Sequence, residues 1–412
     1  MKTRKFIFIF YLSVNILMFI LYTLGYENLT PISKTLNLDL KFYFLNIVLL
    51  VSSLYILLKI FSVSEKYIKI KKMRIDLQSE KNAIGLFVFF IQLIFIFNFI
   101  FNSGTVIGKE DTSGGGIYGF IISGTQIIYL QIVYLVSIKK WNKIWYTIFY
   151  LFIIINIITG KSGFLLLLAV LFLFKMEEKQ KLISYFKISI ILGILVTVFY
   201  PIIYFAKLAI RIISGTDKSF SNLEILNNLA NGSYVEFAFR SYTQLFERFE
   251  QYYLTLGSLV HYNQIVNAYH NNLIIPYYLE GFQLKIYKLL NEDYVGMSLG
   301  NYLPNIFYDD YYEGVDFWNI SPGFQTLFYY DSLDILFIFP YYILLIVLII
   351  IIFRLISVAN LAYNFIFFYI ILLLFAGWFS QFFYLVWSII VLFMLVQLFG
   401  SLKLLFLKKR IV

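Results

Sequence analysis

Leu333–Phe353 reads LDILFIFPYYILLIVLIIIIF, a run with one acid, Asp334, and no base. As a helix rising 1.5 Å per residue it spans the ~30 Å of a bilayer's hydrocarbon core. Lipid offers no partner to backbone N–H and C=O groups, so such a run must be a helix or part of a closed barrel. It lacks the apolar/polar alternation of a barrel strand, which selects the helix. Working outward, Phe6–Gly25, Phe42–Phe61, Ile84–Phe101, Ile117–Ile138 and Phe382–Phe399 read the same way. The chain is 61% hydrophobic and 14% charged, with mean hydropathy +0.80, far from a soluble domain.

The net charge of +10 is distributed against a nucleic-acid partner. Lys2, Arg4 and Lys5 precede the first run. Lys66, Lys69, Lys71, Lys72, Arg74 and Lys81 follow the second, and Lys139, Lys140 and Lys143 follow the fourth. Lys175, Lys179, Lys181 and Lys187 follow the sixth, and Lys403, Lys408, Lys409 and Arg410 end the chain. Cations on alternate connections are the positive-inside pattern, predicting cytoplasmic termini and about ten spans. The first run is too long for a signal peptide's apolar stretch, and no small-x-small site follows in Tyr22–Tyr26, so it reads as retained. With no Cys, disulfides and thiol chemistry are excluded.

The expected fold is an all-α polytopic membrane protein in three parts. Residues 1–206 hold about seven spans, residues 207–332 one large helical loop on the outer side, which would be periplasmic in a bacterial inner membrane, and residues 333–412 about three spans. In the first part, Trp145–Ile158 and Phe164–Phe174 are short for crossings and flank the turn Thr159-Gly160-Lys161-Ser162-Gly163. Cationic clusters on one side bracket them, which requires an even number of crossings: a thin hairpin with Lys161 at its outer tip, or a re-entrant pair. Pro201 in Ile188–Ala206 predicts a kink, and Ala362–Phe375 completes the set. No solenoid or inverted repeat is visible.

The loop is the only long polar stretch, so specificity and chemistry are expected there. Asn222–Leu229 and Tyr234–Leu256 show helical apolar spacing. On the second, Glu236, Arg240 and Glu247 share one face, with Arg248 about 100° round from Glu247. Two readings stand: local ion pairs on a solvated helix, or arginines facing a cavity, where a planar, permanently charged fork suits phosphate. Both histidines, His261 and His270, fall in this loop and suit acid–base work. No metal-ligand spacing is recognisable. Tyr308, Asp309, Tyr311 and Trp318 suit sugars, rings against sugar faces and carboxylate to hydroxyls; interfacial anchoring is the other reading.

Three patterns resemble those of the Wzy-type O-antigen or capsule polymerases, the oligosaccharide repeat unit polymerases. Thr159-Gly160-Lys161-Ser162-Gly163 resembles that family's Thr-Gly-Ser-Arg-Gly turn, with a Lys one position earlier than the Arg. Arg240 through Arg248 resembles the Arg-containing loop helix. Asn319-Ile320-Ser321-Pro322-Gly323-Phe324, followed by Leu327-Phe328-Tyr329-Tyr330, resembles the Ser-Pro-Gly-Phe segment before the next span. Ile275-Pro276 is followed by Tyr277, where the family has an Arg.

The resemblance implies polymerisation of undecaprenyl-pyrophosphate-linked oligosaccharides at the periplasmic face, in membrane lipid, with a chain-length regulator protein as possible partner and no cofactor. The donor is already activated, so the enzyme must position two lipid-anchored substrates and stabilise growing pyrophosphate charge. Arg240, Arg248, Arg211 and Lys161 are the candidates for the pyrophosphate. His270 is the first choice of base, with Glu247 and Glu250 behind it, and no metal is required. An O-antigen ligase shares donor, topology and loop. A transferase using polyprenyl-phosphate sugars places an acid in a long first outer loop, whereas Tyr26–Lys41 is short. A lipid-linked oligosaccharide flippase would carry ionisable groups and broken helices inside its spans.

Overall fold

The computed structural model describes residues 2–24, 39–73, 75–101, 124–159, 164–177, 190, 193–194, 197–206, 209, 235, 237–239, 241–242, 249–291, 296–307, 320–329 and 333–409. The apolar runs are helices: α1 Lys2–Thr23, α2 Leu40–Tyr67, α3 Leu77–Phe101, α4 Ile127–Ser137, α5 Lys143–Ile158, α6 Phe164–Glu177 and α7 Thr197–Ala206. The stretch from 249 to 307 adds four short ones, α8 Tyr252–Val260, α9 Tyr262–His270, α10 Phe282–Leu290 and α11 Leu299–Phe307. The last part holds α12 Asp334–Ile356, α13 Asn360–Tyr369, prolonged by a π-helical turn at Ile370–Phe375, and α14 Phe379–Lys409. Among the described residues there is no β-strand, and an isolated bridge joins Ile274 to Met297.

This is an all-α membrane protein. Among the described residues, five helices are long and apolar enough to cross: Thr3–Thr23, Leu40–Tyr67, Leu77–Ile100, Asp334–Ile356 and Phe379–Leu405. The apolar helices α4, α5, α6, α7 and Asn360–Phe375 are shorter. The faces of the long helices sort accordingly. Phe6, Leu17, Phe44 and Phe90 are exposed, as lipid-facing side chains must be, while Tyr11, Leu50, Leu54 and Val88 are buried among other helices.

The chain divides into two units. The first comprises Met1–Lys69, Phe246–Ile351 and Ile366–Val386; the second comprises Ile70–Leu245, Ile352–Phe365 and Trp387–Val412. In the first unit, Arg4 at the start of α1 makes a two-pronged ion pair with Glu65 near the end of α2, at 2.6 and 3.0 Å. The guanidinium also lies over the rings of Phe61 and Phe367. The first two helices therefore form an antiparallel pair.

In the second unit, Lys139 and Lys403 lie at one end. Lys403 pairs with Glu80 at 2.9 Å, Lys139 donates to Ser357 at 3.0 Å, and Asn142 donates to Asn82 at 2.6 Å. Backbone bonds from Met73 to Leu355 and from Ala359 to Ser137 tie the same end together. Further in, Gln92 of α3 donates to Gln131 of α4 at 2.7 Å and to the Ile148 carbonyl of α5. Between helices that lipid cannot drive together, such amide bonds act as glue. α5 and α6 run antiparallel: Phe152 meets Phe164 edge to face, and Lys175 returns over the ring of Trp141; the turn with Lys161 lies outside the described residues.

Two prolines leave carbonyls that other groups take up. Pro201 has no N–H for Thr197, and the Tyr242 hydroxyl donates to that carbonyl instead. Pro304 in α11 likewise cannot serve Gly300, whose carbonyl accepts the Ile320 N–H at 2.9 Å. Helix interruptions in this chain are thus bonded sites that attach a second segment.

Candidate functional site

The expected continuous helix over Tyr234–Leu256 does not hold. Residues 249–251 form a turn, and α8 starts afresh at Tyr252. The reason lies in α1. Asn15, about 12 Å in from the Thr23 end at 1.5 Å per residue, is fully buried. Its side-chain oxygen accepts the N–H groups of Gln251 and Tyr252 at 2.9 and 3.0 Å. Its amide donates to the carbonyls of Phe249 and Tyr11. Asn46 of α2 donates to the Tyr252 carbonyl at 2.7 Å, and the Tyr252 hydroxyl donates to that of Tyr43. Two span asparagines therefore supply the partners that irregular backbone needs at this depth. The turn enters between the first two helices, where the rings of Phe10, Phe19 and Tyr22 close on Phe249, Tyr252 and Tyr253.

A second junction forms where α13's π-helical turn gives way to α14. Gly377 adopts φ +87° and Gly323, of the Ser321-Pro322-Gly323 segment, φ +79°. The Gly323 N–H donates to the Ala376 carbonyl at 3.2 Å. A Cβ on Gly377 would lie 2.5 Å from the Gly323 nitrogen, and one on Gly323 would lie 2.3 Å from the Thr255 methyl. Only glycine fits both the conformation and the space. After Gly323 the chain turns through a short 3₁₀ segment, Phe324–Tyr329, packed on α8.

Three residues further along α14, the Ser380 hydroxyl donates to the carboxyl of Glu280. Glu280 is 2% exposed, and the Leu299 N–H also reaches it. Burial pushes this carboxyl up from its usual range to about 7, against the downward pull of those two bonds. Gly281 beside it has φ +81°, and its Cβ position falls 2.6 Å from Phe383. The interruption between α13 and α14 thus receives the Ser321-Pro322-Gly323 turn on one side and the Glu280-Gly281 turn on another.

Around this seam, polar atoms are buried without a partner among the described residues: both amide atoms of Gln251, both of Gln325, the hydroxyls of Tyr11 and Tyr329, and Oδ1 of Asn46. Gln325 flanks Gly323, and Gln251 lies one turn before Thr255 on α8. Neutral amide and phenol groups in an apolar surround suit water or a hydroxyl-rich ligand.

Of the residues expected from sequence, His261, His270 and Glu250 are described; His261 sits between α8 and α9, its ring beside Phe307 and its Nδ1 3.0 Å from Gln264 Oε1. His270 is the exposed last residue of α9, its ring beside Tyr269. The Tyr269 hydroxyl donates to Asp334 at 2.6 Å; burial, then that bond, raises the phenol's pKa. Glu250 is buried and accepts the Tyr253 N–H at 2.6 Å, capping the first turn of α8. Glu247, Arg240, Arg248, Arg211, Lys161, Tyr308, Asp309, Tyr311 and Trp318 lie outside the described residues. Among the described residues no three His, Asp or Glu side chains gather as a metal set. Sequence reasoning passed over Asn15, Asn46, Gln251, Glu280 and Gln325. An Asn within an apolar run was the available signal for the first two.

No family model, no curated protein and no solved structure matches this chain.

Proposed function

We propose that this protein is a lipid-linked glycan transferase, a polymerase of undecaprenyl-pyrophosphate-linked repeat units at the periplasmic face of a bacterial inner membrane, with both termini cytoplasmic. The observation that carries the reading is the way loop backbone is drawn between α1 and α2 and held there by Asn15 and Asn46. A transferase acting on two lipid-anchored substrates needs its polar groups brought to membrane depth, beside the lipid end of its donor. The unpartnered amides of Gln251 and Gln325 supply neutral hydrogen bonds of the kind sugar hydroxyls use.

In this reading, Arg240, Arg248, Arg211 and Lys161 neutralise the pyrophosphate as the glycosidic carbon leaves it. An acceptor hydroxyl attacks that carbon and its proton passes to a base, His270 first and Glu247 next. Glu250 already accepts a backbone N–H, which ranks it behind both. Tyr308, Asp309, Tyr311 and Trp318 hold sugars. The reaction draws on no cofactor.

One observation favours a second reading, transport of the lipid-linked unit. The π-helical stretch Ile370–Phe375 interrupts the regular winding of an apolar helix, a feature that often marks a functional path. One experiment separates the two. Surface glycan from cells lacking the gene is run on a gel beside cells complemented with wild type, Arg240→Ala and Arg248→Ala. A polymerase predicts core bearing one repeat unit in the deletion, and no ladder from either variant present in the membrane. Unattached polymer identifies a ligase. Repeat units stranded on the inner leaflet identify a transporter.

A further inference from the structure

The second unit carries an open apolar groove that the reading above does not use. It has a volume of about 550 Å³, inside the ~300–1,000 Å³ range of small-molecule sites. Its walls come from α4, α5, α6, α7 and the first turn of α13, and they include Trp145, Phe149, Phe172 and Phe199. One end differs from the rest. There Trp141 and Trp145 stack at 4.1 Å, the Trp145 N–H is taken by the Leu135 carbonyl, and the ammonium of Lys175 lies 5.6 Å from the centre of the Trp141 ring. Lys175 is the charged side chain of the groove wall. Lys140 and Lys143, either side of Trp141, are exposed. Lys139 donates to Ser357, and Glu177 is the carboxylate two residues beyond Lys175.

We propose that this groove is a binding site for an anionic glycerophospholipid, its acyl chain along the aromatic floor and its phosphate at Lys175. The occupant follows from the two ends of the groove. The floor is almost wholly apolar and opens through exposed Tyr150 and Phe172, so a chain of methylenes fits it and a peptide backbone, with a donor and an acceptor at nearly every residue, does not. The other end presents cations and indole rings, the pairing that holds phosphate at the membrane–water boundary. A zwitterionic headgroup would set its own cation against Lys175, Lys140 and Lys143; a net anion meets only attraction from them. The proposal does not depend on the transferase reading.

The two indoles make the test direct. The full chain is purified and placed in phosphatidylcholine bilayers, then titrated with phosphatidylglycerol or phosphatidylcholine whose acyl chains carry bromine, which quenches tryptophan at contact range. The signal of the groove is the difference between wild type and Trp141→Phe/Trp145→Phe. That difference should show anionic lipid preferred about fivefold, the scale of one lysine–phosphate attraction. Lys175→Gln should bring the ratio close to one, and Lys175→Arg should keep it. The arginine variant guards against a fold defect at this position, and equal helical circular dichroism guards the others. Equal quenching by both lipids in wild type overturns the proposal, as does a preference that survives Lys175→Gln. Displacement of brominated phosphatidylglycerol by a sub-stoichiometric polyprenyl phosphate overturns the choice of occupant.

Discussion

The side-chain oxygen of Asn15, mid-way along the first span, accepts the backbone N–H of Tyr252 at 3.0 Å. Four hydrogen bonds converge on this one side chain, three of them to a segment more than two hundred residues away. Asn15→Leu keeps the volume and the apolar surround but strands two buried N–H groups and a carbonyl. Each stranded group costs ~1–3 kcal/mol, so the variant is expected to lose several kcal/mol. Thermal unfolding of the purified protein checks this; a Tm within a degree of wild type would contradict it.

Gly323 and Gly377 meet back to back at left-handed φ. Gly377→Ala puts a methyl against backbone and the Pro322 ring, neither of which can swing away. It is expected to prevent accumulation of folded protein. Gly124→Ala, where nothing lies within 4 Å of the new Cβ, should accumulate normally. Fluorescence-detected size exclusion of the two variants reads the difference, and similar monodisperse peaks would count against the packing described.

Glu280 gives the stability a pH dependence. Its folded pKa, about 7, stands above the usual carboxyl value of 4.5. Between those values the unfolded chain releases the proton while the folded chain keeps it. Stability is therefore greatest below the lower value and falls as pH rises through the window, by at most ~1.4 kcal/mol per pH unit. Glu280→Gln, neutral at every pH and still able to accept from Ser380, should flatten that slope. Unfolding midpoints measured across the window test it; parallel wild-type and variant curves would remove Glu280 as the cause.

Much of the helical framework is readable from apolar run length, because a span must satisfy its own backbone. Leu333–Phe353 became Asp334–Ile356, and Phe42–Phe61 lies inside Leu40–Tyr67. Lys139 and Lys403, each from a cationic cluster of the sequence, lie at one end of the second unit. Local spacing fails where a distant side chain decides. Nothing between Tyr234 and Leu256 announces a break at residues 249–251, because the groups that stabilise it belong to Asn15 and Asn46. Glu280 is similar: its environment is made by Ser380, a hundred residues on, and by Leu299. Of the run Ile117–Ile138, residues 117–123 lie outside the described residues, and α4 covers Ile127–Ser137.

The central claim is tested most directly by giving the purified protein, in bilayers, a single lipid-linked repeat unit and separating the products by size. The account predicts a ladder in steps of one repeat unit, one undecaprenyl pyrophosphate released for each bond formed, and no ladder from Arg240→Ala. Starting material unchanged in length, with wild type folded and the lipid-linked unit equilibrated between leaflets, would contradict it.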